Sequence, residues 1–226
     1  VGAIIASISM ALPIAAWPSS SPAILVVIAG SIVVGILQGV IVAGGLNPVI
    51  TTLAAGAIIF GVASELTGGG IVQVRDNGAS WGGKDFLGIP IEVLVFLIFT
   101  AAVTWLMSRT VIGRETVLVG ANRATARISG ISHARVTTIA FVILSVGVAI
   151  AGIMSGAAFG EATAKSFPTL TINVIAALLV GGTAIQGGDG SPWRSAAGAV
   201  LISVISNMMV LNDFSPGGRL AVQGGV

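Results

Sequence analysis

The chain has 226 residues, of which 55% are hydrophobic and 8% charged, with a mean hydropathy of +1.06 and a formal net charge of +2. Soluble domains carry about 25% charged residues, so this composition excludes an ordinary soluble fold. No cysteine is present, which excludes disulfides and thiolate chemistry, and one histidine with eight scattered acids leaves little for a metal site.

Apolar runs that approach or exceed the roughly 17–25 residues of a bilayer crossing predict an all-α, polytopic transmembrane bundle. Helices are required because lipid cannot satisfy open backbone groups. In chain order the spans are expected over about 1–16, 22–43 (after the Ser19–Pro22 turn), 48–66 (after Asn47-Pro48), 90–108, 136–158, 169–186 and 196–212, seven in all. The sequence opens inside an apolar run at Val1 and closes after a Gly-rich stretch at Val226. It therefore reads as one transmembrane domain over residues 1–226, truncated at both ends.

Charge orients the spans. Arg109, Arg114, Arg123, Arg127 and Arg135, half of all Lys and Arg, lie between spans four and five against the single acid Glu115. The positive-inside rule makes that loop, about 109–135, cytoplasmic. Counting from it puts the loops 67–89 and 159–168 outside and 187–195 inside. The basic pI of 9.9 thus reflects topology, not nucleic-acid binding. Trp17, Trp81, Trp105 and Trp193 fall at or beyond span ends, as interfacial anchors do.

Small residues set the packing. Gly35 and Gly39 share one face of span two, and Gly152, Gly156 and Gly160 one face of span five, a spacing that lets helix backbones approach closely. Gln38, Asn47, Asn173 and Asn207 are polar groups in apolar surroundings and are the candidates for a translocation path; helix–helix hydrogen bonding is the alternative for each. No ionisable residue lies deep in a span: Glu65 and Glu92 sit near span ends. A proton-coupled carrier needs such groups buried, so an ion gradient is a poor energy source for this chain.

The cytoplasmic loop carries the most specific local signal. Asn122 is a good N-cap for a short helix over about Arg123–Ser129, and Gly130 a good left-handed C-cap. Arg123 and Arg127 are four apart and share a face, while Ala124, Ala126 and Ile128 supply small and apolar contacts. Positive-inside topology explains the arginines by themselves; the two caps add a rigid basic knob suited to docking. The segment Gly181–Ser191, GGTAIQGGDGS, lacks the lysine and spacing of a phosphate loop and reads instead as a glycine break and turn, with Asp189 placed to cap or to pair with Arg194. Glu161 and Lys165 have the spacing of an outer-loop i,i+4 pair, and His133 is a solvated loop histidine. No nucleophile–base set, carboxylate pair or metal cluster assembles at credible spacing, so no catalytic or metal-ligating residue is assigned.

Three blocks together resemble one family. Asn47–Gly70, NPVITTLAAGAIIFGVASELTGGG, is similar to a helix and outer turn of the permease subunits of bacterial ABC importers for ribose, xylose, galactose and like sugars. Gly113–Ile131, GRETVLVGANRATARISGI, resembles their cytoplasmic coupling loop, and Val180–Ser191 their GGTSLxGGxGS segment. Departures occur at Phe60, where the family carries a basic residue, at Thr125-Ala126 and at Thr183-Ala184-Ile185. The resemblance implies a permease of about ten helices, with elements before Val1 and after Val226. It implies a multi-pass protein of the bacterial inner membrane that translocates a monosaccharide or polyol beside a second, identical or related permease subunit. A periplasmic or extracellular sugar-binding protein would deliver the solute. A cytoplasmic ATP-binding subunit would hold ATP and Mg and dock on Asn122, Arg123, Ala124, Arg127, Ser129 and Gly130. The chain itself would bind no cofactor. An ATP-independent channel or facilitator is the alternative, and a membrane-embedded enzyme the weakest of the three readings.

Overall fold

The computed structural model describes residues 20–73, 85–86, 88–162, 170–184, 187–214 and 217–218. Eight helices and four two-residue strands occupy them: α1 Ser20–Ala43, α2 Pro48–Thr67, β1 Val72–Gln73, β2 Asp85–Phe86, β3 Ile89–Pro90, α3 Ile91–Arg109, α4 Val111–Ala121, α5 Arg123–Ile128, α6 His133–Phe159, β4 Glu161–Ala162, α7 Leu170–Val180 and α8 Pro192–Leu211. Five helices are long and apolar enough to cross a membrane: α1, α2, α3, α6 and α8. The fold is therefore an all-α, multi-pass membrane bundle.

Three expectations need correction or completion. The first span, 1–16, lies outside the described residues. The sixth, expected to run to residue 186, stops at Val180 because Gly182 turns left-handed at φ 72°; its described part is Leu170–Val180. Gly160 does not join Gly152 and Gly156 on a helix face. It takes φ 66° one residue past the end of α6 and stops that helix.

The described residues fall into two compact units, one within Val1–Leu97 and His133–Phe167, the other within Ile98–Ser132 and Pro168–Val226. In the first, α1 packs along α6. The contact is close because α1 offers glycine: a Cβ added at Gly39 would stand 2.6 Å from Thr138 Cα, and one at Gly35 would stand 2.9 Å from Val142 Cα and Ser145 Oγ. Lipid tails are as apolar as leucine, so dispersion across such contacts, not exclusion of water, holds the helices together. Val27, Ala149 and Ile153 are buried at this seam, with Ile24, Ile28 and Met154 against them. Gly152 and Gly156 are buried on α6 as well.

The same unit pairs two loops. β1 and β4 run antiparallel with Val72 opposite Ala162 and Gln73 opposite Glu161. These strands belong to the loops 67–89 and 159–168, which charge counting puts on one side, and the ladder brings them together. Lys165 lies outside the described residues, so Glu161 is seen only as a strand residue.

In the second unit α7 and α8 form a helical hairpin around Ala176, Ala177 and Ile202. Gly198 of α8 meets the Ala177 carbonyl, and a Cβ there would also stand 2.8 Å from Gly181 N. Here too the small residue is what lets the backbones touch.

Candidate docking corner and transport path

The loop 109–135 is more ordered than its charge suggests. α3 ends at Arg109, and the chain turns at once into α4, a helix within what the sequence predicts as a loop. Thr110 sits at the corner. Its Oγ1 donates to the Leu106 carbonyl at 2.6 Å and caps α4 through a 3.4 Å contact from Gly113 N. Gly113 is needed because any Cβ there would strike the Met107 carbonyl.

One residue, Asn122, separates α4 from α5. Its backbone is extended, at φ −157° and ψ 107°, and its side-chain Oδ1 accepts from Ala124 N at 2.9 Å and Thr125 N at 3.2 Å. Two of the helix's unpaired N–H groups are thereby satisfied. At the other end Gly130 takes φ 77°, its N–H bonds the Arg127 carbonyl at 3.1 Å, and Ile131 N–H bonds the Ala126 carbonyl at 3.0 Å. This is the Schellman arrangement, and the left-handed residue at its centre favours glycine. Ser129, between them, returns its hydroxyl to the Thr125 carbonyl at 3.1 Å. Six residues would not hold a helix unaided; the two caps define this one.

The faces of α5 are unequal. Ala126 is buried and anchors the helix to its own chain, so it offers no contact to a partner. Arg123, Ala124 and Arg127 are exposed, and the arginines hold no ion pair among the described residues. Ile128 is 89% exposed, the most exposed large apolar side chain described. Ile128 thus joins the exposed arginines on α5, beyond the docking residues expected from the sequence. An apolar residue beside two arginines in a short capped helix was the available signal.

The Gly-rich segment lies against this corner. Thr183 and Ser195 exchange a hydroxyl hydrogen bond at 2.8 Å, tying the turn to the first turn of α8. Ala184 N donates to the Asp189 carbonyl and Gly187 N to the Ala184 carbonyl, each at 3.1 Å. Asp189 pairs with Arg194 at 3.2 Å on the surface. The end of α4 and this turn are adjacent: a Cβ added at Gly120 would stand 2.7 Å from Gly188 N. A mostly apolar cavity of about 520 Å³ opens here, lined by Thr104, Met107, Thr116, Leu178, Gly188 and Ser195 among others. The Oγ1 of Thr104 is buried without a hydrogen-bond partner among the described residues. His133 is not simply solvated: it opens α6, and Thr137 Oγ1 approaches its ring nitrogens at 3.4–3.5 Å.

The path candidates differ in setting. Gln38 is buried on α1. Asn173, on α7, is half-buried and its Oδ1 has no hydrogen-bond partner among the described residues. Asn47 is exposed and caps α2, accepting from Val49 N at 2.9 Å. Asn207 is exposed on α8. Gln38 and Asn47 belong to the first unit, Asn173 and Asn207 to the second. Among the described residues no group of three or more His, Cys, Asp or Glu could hold a metal ion.

Comparison with known proteins extends this geometry. The chain is 32% identical over 163 residues to the Probable ABC transporter permease protein YphD of Escherichia coli, covering 72% of this chain and 49% of that protein. It is 31% identical over 197 residues to the ribose import permease protein RbsC of Haemophilus influenzae, covering 84% and 61%. To the L-arabinose transport system permease protein AraH of Escherichia coli it is 28% identical over 180 residues, covering 79% and 55%. The chain spans about half the length of the curated relatives it matches. No solved structure matches it. One family model, described as branched-chain amino acid transport system / permease component, matches residues 1–226. With five helices able to cross a bilayer and a family match along its whole length, the chain is a multi-pass membrane protein that belongs to this family of ABC transporter permease components.

Proposed function

We propose that the chain forms the membrane-spanning path of an ATP-driven importer of a monosaccharide or related polyol in the bacterial inner membrane. The observation that carries this reading is α5: a short helix, capped at both ends, presenting two exposed arginines and Ile128 on the side that charge counting makes cytoplasmic. Such a knob is built to be gripped. Its partner is a separate ATP-binding subunit, which supplies the nucleotide and Mg, while this chain contributes no ATPase site of its own. A second permease subunit and a sugar-binding protein on the outer side complete the assembly, surrounded by lipid.

A sugar fits better than an amino acid. The spans carry amides and hydroxyls and, away from their ends, no ionisable side chain. A zwitterion would lose its hydration with no opposite charge to meet it, whereas a neutral polyol needs only hydrogen bonds. Gln38, Asn47, Asn173 and Asn207 are the groups we assign to that task. The ribose and arabinose permeases among the relatives support the same class.

The test is transport by the permease reconstituted in vesicles with its ATPase and binding protein. The Arg123→Glu/Arg127→Glu variant should insert normally yet lose ATPase docking and import by at least about tenfold, since reversing charges at a contact both removes attraction and adds repulsion. Normal import by that variant would remove α5 from the docking role. Sugar flux through the permease alone, without ATP, would favour a facilitator.

A further inference from the structure

The proposed function leaves the turn Gly187–Gly190 without a task, yet it makes one of the tightest backbone contacts described. A Cβ added at Gly120 would stand 2.7 Å from Gly188 N, and one at Gly188 would stand 2.7 Å from Ala121 Cα and 2.8 Å from Ala121 N. From Gly187 the corresponding distance to the Gly120 carbonyl oxygen is 3.2 Å. The last residues of α4 and the turn therefore meet main chain to main chain, with no side chain between them. Gly187 and Gly188 hold φ of 85° and 80°, so the turn's shape as well as its closeness calls for glycine.

This contact lies one residue from Asn122, the cap of α5. On its other side the turn is tied to α8 by the Thr183–Ser195 hydroxyl bond, and α8 to α7 by the close approach of Gly198 and Gly181. All these residues belong to one compact unit. We infer that the Gly187–Gly188 turn is the mechanical link between the docking helix and the α7–α8 hairpin, with Gly120, Gly187 and Gly188 as positioning residues for coupling ATP hydrolysis to transport.

The physical reason is slack. A force passed through a long side chain is partly absorbed by rotamer changes, whereas main-chain groups in van der Waals contact repel steeply and have none to change. On the other side α5 connects to α6 through Ser129–Ser132, a segment that contains the left-handed Gly130. A displacement of α5 by its ATPase is thus delivered to the end of α4, to the turn and to the first turn of α8.

The inference rests on the importer reading, and the experiment separates the two. Residues 1–226 hold no cysteine, so a spin-label pair at Leu118→Cys on α4 and Val204→Cys on α8, both exposed, is unique within them. In the assembled complex with ATPase and binding protein, ATP binding should leave the α4–α8 label distance unchanged in the native background. Gly188→Ala should retain ATPase binding and basal hydrolysis but import roughly 2- to 30-fold less sugar per ATP, the range of measured coupling effects. Gly45→Ala, at φ 104° with nothing within 4 Å, is the control for backbone strain without contact and should keep its coupling ratio. A changed α4–α8 distance on ATP binding, or native import per ATP in Gly188→Ala, would overturn the link. If Gly188→Ala fails to insert, the label distance in the native background decides. A native complex that imports no sugar with ATP would instead overturn the importer reading itself.

Discussion

The α1–α6 seam and the docking corner are both built on glycine, for different reasons. Along the seam, Gly35 and Gly39 are ordinary helical residues, and their value is the absent side chain that admits Thr138, Val142 and Ser145 of the facing helix. At the docking corner Gly130, Gly187 and Gly188 also hold positive φ, so there the backbone shape itself depends on them. The first use governs how closely two helices lie; the second governs which direction the chain leaves in. The seam can therefore be loosened by degrees, whereas the corner is either formed or not.

Substitutions can break or sharpen that contrast. The largest effect should come from Gly198→Leu on the α7–α8 hairpin, where the new side chain must displace the Ala177 carbonyl. A loss of about 3 kcal/mol is expected, at the upper end of overpacking costs, read from unfolding in mixed detergent. On the seam, Gly39→Ala should cost about 2 kcal/mol because its Cβ would press on Thr138 Cα. Gly30→Ala on the same helix meets nothing within 4 Å and should stabilise by about 0.5–1 kcal/mol through helix propensity. Equal effects at Gly39 and Gly30 would mean the seam does not depend on close approach. Asn122→Ala should cost about 1 kcal/mol, confined to α5. Hydrogen exchange should then quicken over 123–128 and leave α6 and α8 as they were; a uniform response would show that α5 is not locally defined by its cap.

The parts of this fold that are local in sequence were the legible ones. Apolar runs locate the long helices to within a few residues, and the Asn122 and Gly130 caps were readable because a cap depends on two or three neighbours. The Asp189–Arg194 pair was readable for the same reason. α4 was not, because Val111–Ala121 is too short for a span and its arginine and glutamate blend into a basic loop. The Gly181–Ser191 segment reads as a glycine break, but the residue at which α7 ends does not follow from it; only the backbone shows Gly182 turning left-handed. Long-range contacts were beyond reach. Nothing within either segment announces that Gly120 and Gly188 touch, or that Val72 pairs with Ala162. Among the path candidates, polarity flagged all four amides, but only coordinates distinguish Asn47, already engaged as a cap, from Asn173, whose oxygen has no described partner.

The end of α7 has a consequence for electrostatics in lipid. A helix that stops abruptly exposes four carbonyl dipoles, each costly where the dielectric constant is low. Here the Ala177, Leu178 and Leu179 carbonyls are taken up by the N–H groups of Gly181, Thr183 and Gly182, at 2.9, 3.0 and 2.9 Å. Three of the four dipoles are thereby neutralised within the chain. A helix finished in this way can end in low-dielectric surroundings without dragging water in after it, so solvent admitted at this end of the bundle can be set by the packing of side chains and need not follow the exposed end of a helix.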